Sequence, residues 1–392
     1  MKRRILCMIG LLIGTIFFNY STVLANEENK EETKLAEDAL SSVLIEQNTG
    51  TVLFDKDAHE QLPPASMTKI MTLLLIMEAL EKEEISKEDI VVVSEYAASM
   101  GGSQVFLEAG EEMSVDDLIK GIAIASGNDA SVAMAEKIAG TEEEFVRAMN
   151  KKAEELALEN THFANTTGLP AADHYSSAYD MAVMTRELLH FEDITNYTSI
   201  YEDYLRQGKE NEFWLVNTNK LIRSYPGADG MKTGYTNEAK YCLTATAKRD
   251  DMRVIAVVMG AETPKERNKM ISGLMDYGFQ SYKTEQLFAK EETVMELNKI
   301  KADPHHFDIV TEQSVHTLQK KGQEEAAVTT EVSIQDNWEF PVKKGTVVGE
   351  LTVKENDEPV YATPLIVNED ISEASVLELA KRTMQKMVKA AD

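Results

Sequence analysis

Cysteine is nearly missing from this 392-residue chain, which has only Cys7 and Cys242. Cys7 falls in an N-terminal segment that reads as removable, so Cys242 is left alone and no intrachain disulfide can form. The fold must therefore rest on an ordinary apolar core. Cys242 itself lies in the run Tyr241-Cys242-Leu243 and reads as a buried strand residue, not a nucleophile. Histidine is scarce too. The seven, which include His305-His306, form no His-Glu-x-x-His and no compact Cys/His set, so a zinc peptidase is disfavoured. These histidines are expected on surfaces, and no metal or cofactor is expected. There is no glycine-rich phosphate loop either. Positive charge is in deficit: 40 Lys and Arg stand against 67 Asp and Glu, a net charge of −27. Nucleic-acid binding needs cations to neutralise phosphates, so that class of partner is disfavoured. Ordinary solvation accounts for the acidity.

The N-terminus carries its own label. Lys2-Arg3-Arg4 gives a cationic start, Ile5 to Phe18 an apolar stretch and Val23-Leu24-Ala25 a small-residue cleavage pattern. Residues 1–25 read as a secretory signal peptide, with an uncleaved membrane anchor as the other reading. Removing them leaves 367 of the 392 residues and takes the net charge from −27 to −30, because three cations leave with them. The expected location is outside the cytoplasm, and 367 residues are enough for two domains.

Residues 26–40 are charged and read as a poorly ordered lead-in. Ser42–Glu46 and Thr51–Phe54 flank Gln47-Asn48-Thr49-Gly50, a hairpin signal. A helix is expected from Ser66 to about Glu81; its apolar part is too short to span a bilayer. Further helices are expected over 115–124, 131–138, 142–158 and 176–190. Tyr241–Lys248 and Met252–Gly260 read as an antiparallel strand pair, and Lys265–Tyr277 as a helix. Strands at both ends with helices between predict an α+β domain over 41–284, its antiparallel sheet closed by both ends of the segment. From 285 to 370 short strands and turns predict a small all-β sandwich. Over 371–392, Ser375-Val376-Leu377-Glu378 matches a capping box and opens an amphipathic helix. Val376, Leu377, Leu379, Ala380, Met384, Met387, Val388 and Ala391 share one half of the wheel; Lys381, Arg382, Gln385, Lys386 and Lys389 occupy the other. A basic face on so acidic a chain predicts that residues 375–391 lie on an anionic membrane surface; docking on its own domain is the other reading.

Three motifs carry chemistry. Ser66-Met67-Thr68-Lys69 sits where a helix begins, after Pro63-Pro64, so Ser66 and Lys69 point the same way. A serine hydroxyl needs a base, and lysine serves as one when burial or a nearby cation lowers its pKa. Such a match alone arises by chance about once in a chain this long. Ser126-Gly127-Asn128 lies in a break between helical runs, and Lys232-Thr233-Gly234 precedes the strand pair. In this order, each beside a fitting element, the three motifs predict acyl transfer. Ser66 attacks, the free amine of Lys69 takes its proton and Ser126 returns one to the leaving amine. Asn128 bonds the substrate's peptide groups. The backbone N–H groups of Ser66 and Tyr235 are the expected oxyanion donors. Lys232 helps keep Lys69 neutral and, with Thr233, binds a terminal carboxylate. Gly234 lets the substrate backbone approach as an added strand.

With these residues in view the chain resembles a serine D-alanyl-D-alanine carboxypeptidase, a low-molecular-mass penicillin-binding protein. Pro64–Lys69, Ile124–Ala130, Asn160–Phe163 through Gly168-Leu169, and Gly230–Thr236 are all similar to that family's text, which covers about 40–285. The overall look is closest to the sporulation-associated carboxypeptidases of Gram-positive spore formers. The resemblance implies a penicillin-binding, β-lactamase-like transpeptidase fold with helices on both sides of its sheet, a second domain and a peripheral anchor. It implies the D-Ala-D-Ala end of the peptidoglycan stem peptide as substrate, and β-lactams as acylating inhibitors of Ser66. It places the protein at the outer face of the cytoplasmic membrane. Arg267 resembles the family's carboxylate-binding arginine; Tyr235 stands where many relatives carry histidine. A class A β-lactamase fits less well. Gly127 occupies the middle of Ser-x-Asn, and Glu154–Asn160 does not supply Glu-x-x-Leu-Asn. A non-turnover antibiotic sensor would need a transmembrane segment and a cytoplasmic output.

Overall fold

The computed structural model describes residues 35–324, 326–335 and 338–389. The expected signal peptide and most of the lead-in lie outside these, as does Ala391. Residues 35–40, the end of that lead-in, are held in place. Ala36 and Ala39 are buried, and Lys56 Nζ donates to the carbonyls of Glu37 and Ala39 at 2.6 and 2.5 Å.

Five antiparallel strands form the central sheet: β1 (Ser41–Glu46), β2 (Val52–Lys56), β3 (Ala228–Thr236), β4 (Lys240–Arg249) and β5 (Met252–Ala261), in the order β2-β1-β5-β4-β3. The sheet is thus closed by both ends of the segment, as the sequence predicts. Glu46 closes the first hairpin by accepting from the N–H groups of Asn48 and Thr49. The Lys-Thr-Gly motif precedes the strand pair, as expected, and itself lies inside β3, a third strand at the sheet's edge.

Both faces of this sheet are covered, and strand alternation divides the side chains between them. Val43, Ile45, Ile255, Val257 and Met259 join one core; Leu44, Val254, Ala256 and Val258 join the other. The first core holds α1 (Lys69–Glu81), α2 (Val115–Ala123), α3 (Asn128–Ala139), α4 (Glu142–Glu155) and α5 (Ala178–Leu188). The second is roofed by α6 (Pro264–Ser281), capped by Thr263 Oγ1, through Met270, Ile271, Leu274 and Met275. Nine of the thirteen residues of helix α1 are buried, so apolar side chains line most of its circumference. Each fully buried Leu or Ile along it contributes about 1.5–3 kcal/mol, which anchors the segment that carries the candidate nucleophile. Ser66 does not begin α1; it lies on a 3-10 turn, Ala65–Thr68, that leads into it.

Straight after α6, β6 (Tyr282–Phe288) opens an all-β region with β7 (Thr293–Asn298), β8 (His306–Thr311), β9 (Val315–Lys320), β10 (Val328–Ile334), β11 (Val347–Glu355) and β12 (Glu358–Val367). Five of these make a sheet in the order β7-β8-β12-β11-β10, and β6 pairs with β9. Phe307, Ile309, Leu351, Val353, Leu365 and Val367 form a separate core. Helix α7 (Val376–Lys389) follows, with Ser375 Oγ accepting from Glu378 N. Two histidines expected on surfaces, His174 and His316, are instead buried. No described helix is long and apolar enough to cross a membrane.

Candidate active site

The three motifs arrive from three separate elements and meet. Ser66 rides the 3-10 turn, and Lys69 is the first residue of α1, wholly buried. Lys69 Nζ lies 3.1 Å from Ser66 Oγ, 2.6 Å from Asn128 Oδ1 and 2.7 Å from the carbonyl of Thr167. A neutral amine has two hydrogens and one lone pair. Asn128 and Thr167 present acceptors only, so they take both hydrogens and leave the lone pair for the Ser66 hydroxyl. Asn128 cannot turn its amide round, because its Nδ2 donates to the Gly101 carbonyl at 2.6 Å.

Electrostatics favour the same protonation state. Burial lowers the Lys69 pKa well below its ordinary value, and the Lys232 cation lowers it further against an opposing pull from Asp129. Lys232 is itself lowered to about 7, first by burial and then by Arg267. Its Nζ donates to the Thr233 carbonyl at 3.0 Å. Arg267, on α6, is buried and lowered to about 10 by desolvation, with Nη1 3.4 Å from the Cys242 carbonyl. Three buried basic side chains thus converge in a strongly acidic protein.

Ser126 lies in the break between α2 and α3 with a left-handed φ of +65°, and its Oγ is buried with no hydrogen-bond partner among the described residues. Such an orphan is costly unless a substrate group completes it. Thr233 Oγ1 donates to Thr218 Oγ1 at 2.8 Å. Gly234 is explained by the protein itself: a Cβ there would stand 2.8 Å from the Pro64 carbonyl, so β3 packs directly on the nucleophile's turn. Tyr235 follows on the edge strand, half exposed, with its ring 4.4 Å from that of Tyr241. Ser66, Ser126, Thr233, Gly234, Tyr235 and Arg267 all line one open cleft of about 720 Å³.

Sequence reasoning missed Thr167 because its contribution is a carbonyl, which leaves no mark on residue type. Gly168 was the available signal. At φ +84°, a Cβ on it would overlap the Ala65 carbonyl at 1.8 Å, so only glycine lets the 165–168 segment reach Lys69. Asn165 Oδ1 holds that segment by accepting from the N–H groups of Thr167 and Gly168. From behind, His174 Nδ1 accepts from Ala164 N, so its Nε2–H donates to Thr68 Oγ1 at 2.8 Å. Among the described residues no group of three or more His, Cys, Asp or Glu could hold a metal.

Comparison with known proteins points the same way. Residues 27–263 match the D-alanyl-D-alanine carboxypeptidase family, and residues 282–373 match the C-terminal domain of penicillin-binding protein 5. The chain belongs to the D-alanyl-D-alanine carboxypeptidase family. It is 52% identical over 375 residues to the carboxypeptidase DacF of Bacillus subtilis, covering 95% of this chain and 96% of that one. It is 34% identical to DacC of Escherichia coli, covering 93% and 92%. The fold is similar to penicillin binding protein 5 from Haemophilus influenzae, with a TM-score of 0.67 and 30% identity, over 86% of this chain and 98% of that one. The carboxypeptidase is therefore a serine-type hydrolase of the low-molecular-mass penicillin-binding kind, built from a mixed α and β domain followed by an all-β one. Its family acts on D-Ala-D-Ala ends of peptidoglycan and binds β-lactams.

Proposed function

We propose that the carboxypeptidase removes the terminal D-alanine of the stem pentapeptide through an ester on Ser66. The observation that carries this is the Lys69 amine: two acceptors take its hydrogens and its lone pair is left to Ser66 Oγ, 3.1 Å away. Ser66 Oγ attacks the carbonyl of the penultimate D-Ala while its proton passes to Lys69 Nζ. The N–H groups of Ser66 and Tyr235 receive the developing oxyanion. The C–N bond then breaks as Ser126 Oγ–H gives its proton to the departing amine and is reprotonated by the Lys69 ammonium, so D-alanine leaves and Lys69 is a free base again. Water attacks the ester, its proton passes to the free amine of Lys69, and Lys69 returns that proton to Ser66 Oγ as the ester C–O bond breaks and the shortened peptide leaves. Thr233, Lys232 and Arg267 hold the substrate's terminal carboxylate, and Asn128 Nδ2 and β3 hold its peptide groups. β-Lactams acylate Ser66 by the first half of this sequence.

Mass spectrometry of the purified protein with a D-Ala-D-Ala pentapeptide tests the scheme. A transient adduct on Ser66 and free D-alanine are expected, and both vanish in Ser66→Ala. D-alanine release by that variant at an undiminished rate would end the reading.

We also propose that the protein is exported and held at the outer face of the cytoplasmic membrane by α7. Val376 and Leu377 are 83% and 84% exposed, and Met384 is exposed too, an arrangement that suits insertion among lipid headgroups. Arg382 departs from the expected free basic face: it donates to the carbonyls of Ile300 and Ala302 at 3.1 and 2.6 Å and so ties the helix to the β region. Vesicles containing anionic lipid should bind the full chain and lose it when residues 371–392 are deleted. Equal binding after the deletion would overturn the assignment.

A further inference from the structure

Phe106 holds a conformation that its residue type resists. Its φ is +57°, in the left-handed region, and its side chain is 64% exposed. A bulky residue stays in such a state only when its surroundings over-determine it. Here they do, from both sides. The buried carboxylate of Asp129, next to Asn128, accepts from the N–H groups of Val105 and Leu107 at 3.0–3.1 Å. The buried Arg206, itself at φ +56°, donates to the carbonyls of Val105 and Phe106 at 3.1 and 3.2 Å and pairs with Glu111 at 2.5 Å. Two desolvated charges are therefore spent on fixing three residues of chain, and the result is a phenyl ring in solvent. The ring meets Phe213 edge to face at 5.6 Å.

Phe106 and Phe213 each stand within five residues of a side chain that lines the catalytic cleft. Phe106 is three residues past Ser103, and the strand Phe213–Val216 leads to Thr218; both Ser103 and Thr218 line the cleft. In the scheme above the substrate chain leaves Ser66 past Asn128, whose backbone N–H donates to the Ser103 carbonyl at 2.7 Å. The Phe106 segment is thus tied to the Asn128 side of the cleft, through Ser103 and through Asp129.

We propose that Phe106, backed by Phe213, is a specificity subsite for the residue preceding D-Ala-D-Ala and contacts the aliphatic part of its side chain. The proposal rests on the catalytic reading given above. An apolar wall suits methylenes, and a ring held by a fixed backbone loses little freedom on contact. Asp129 and Arg206 act here as positioning residues.

The test compares acetyl-norleucyl-D-Ala-D-Ala with acetyl-glycyl-D-Ala-D-Ala, in wild type and in Phe106→Gly. Glycine accepts the left-handed φ without strain, so the variant should fold with an unchanged or higher Tm. Wild type should prefer the norleucyl peptide about tenfold in kcat/KM, the difference that a few buried methylenes can make. Phe106→Gly should lose that preference while keeping its rate on the glycyl peptide and its rate of acylation by benzylpenicillin. A wild type without preference, or a preference that survives in the variant, overturns the subsite alone. Equal loss on both peptides and on penicillin, or a lower Tm, would make Phe106 structural. A wild type that releases D-alanine from neither peptide removes the catalytic reading beneath it.

Discussion

The catalytic region and the β region that follows it treat charge in opposite ways. Within the first, Lys69, Asp129, Asp180, Arg206, Lys232 and Arg267 are all buried. Among the described residues beyond 290, none of the buried side chains is an Asp, Glu, Lys or Arg; the polar ones are threonines and His316. A buried ion is expensive, and even a paired one often stabilises no better than an apolar replacement. A domain that serves only as a packed body avoids the expense. In the catalytic region each buried basic group of the site answers a requirement of the chemistry: Lys69 must be neutral, and Lys232 and Arg267 must face a carboxylate. The contrast between the regions identifies the site as clearly as the motifs do.

The sharpest test removes one buried cation and asks whether activity and stability part company. Lys232→Met should lower kcat/KM on the order of 100-fold, since a preorganised charge at the substrate is lost. It should also move the acidic limb of the pH–rate profile to higher pH, because Lys69 no longer feels a neighbouring cation. Stability should respond the other way. The folded-state pKa of Lys232 is about 7, far below its unfolded value. At and below pH 7 the wild type therefore buries a charge that the variant lacks. Between about pH 7 and the unfolded pKa of about 10.4, the unfolded wild type binds more protons than the folded one, so its stability rises with pH. The Tm advantage of Lys232→Met should be largest near pH 7 and shrink toward pH 10; a gap that widens with pH would contradict the assignment.

A smaller effect on function is expected from the other side of the comparison. Leu351→Ala opens a cavity in the β region's separate core and should cost about 2–5 kcal/mol of that region's stability. Its kcat/KM on a soluble peptide should match wild type, since nothing from that core reaches the cleft. A parallel drop in activity would show that the two regions are coupled.

Much of the fold was legible because apolar periodicity is a local property. Strands β4 and β5, helix α6 and the first hairpin fall within a few residues of their predicted bounds. The edge strand β3 was not read as a strand because its sequence, Ala228–Thr236, carries glycine, aspartate and lysine instead of an apolar run. Its strand character comes from pairing with β4. The buried places of His174 and His316 were hidden for a similar reason: each depends on partners far along the chain, Thr68 and Ala164 for one and Tyr361 for the other.

Residue types and their order were enough to name the reacting groups, because a hydroxyl, an amine and an amide at those spacings have few other uses together. Sequence could not say which way the amine's lone pair would point. That was decided by the Thr167 carbonyl and the locked amide of Asn128, brought to Lys69 from 98 and 59 residues away. Backbone carbonyls and side-chain orientation carry no signature in a string of letters; only the packed chain puts them within reach of a proton.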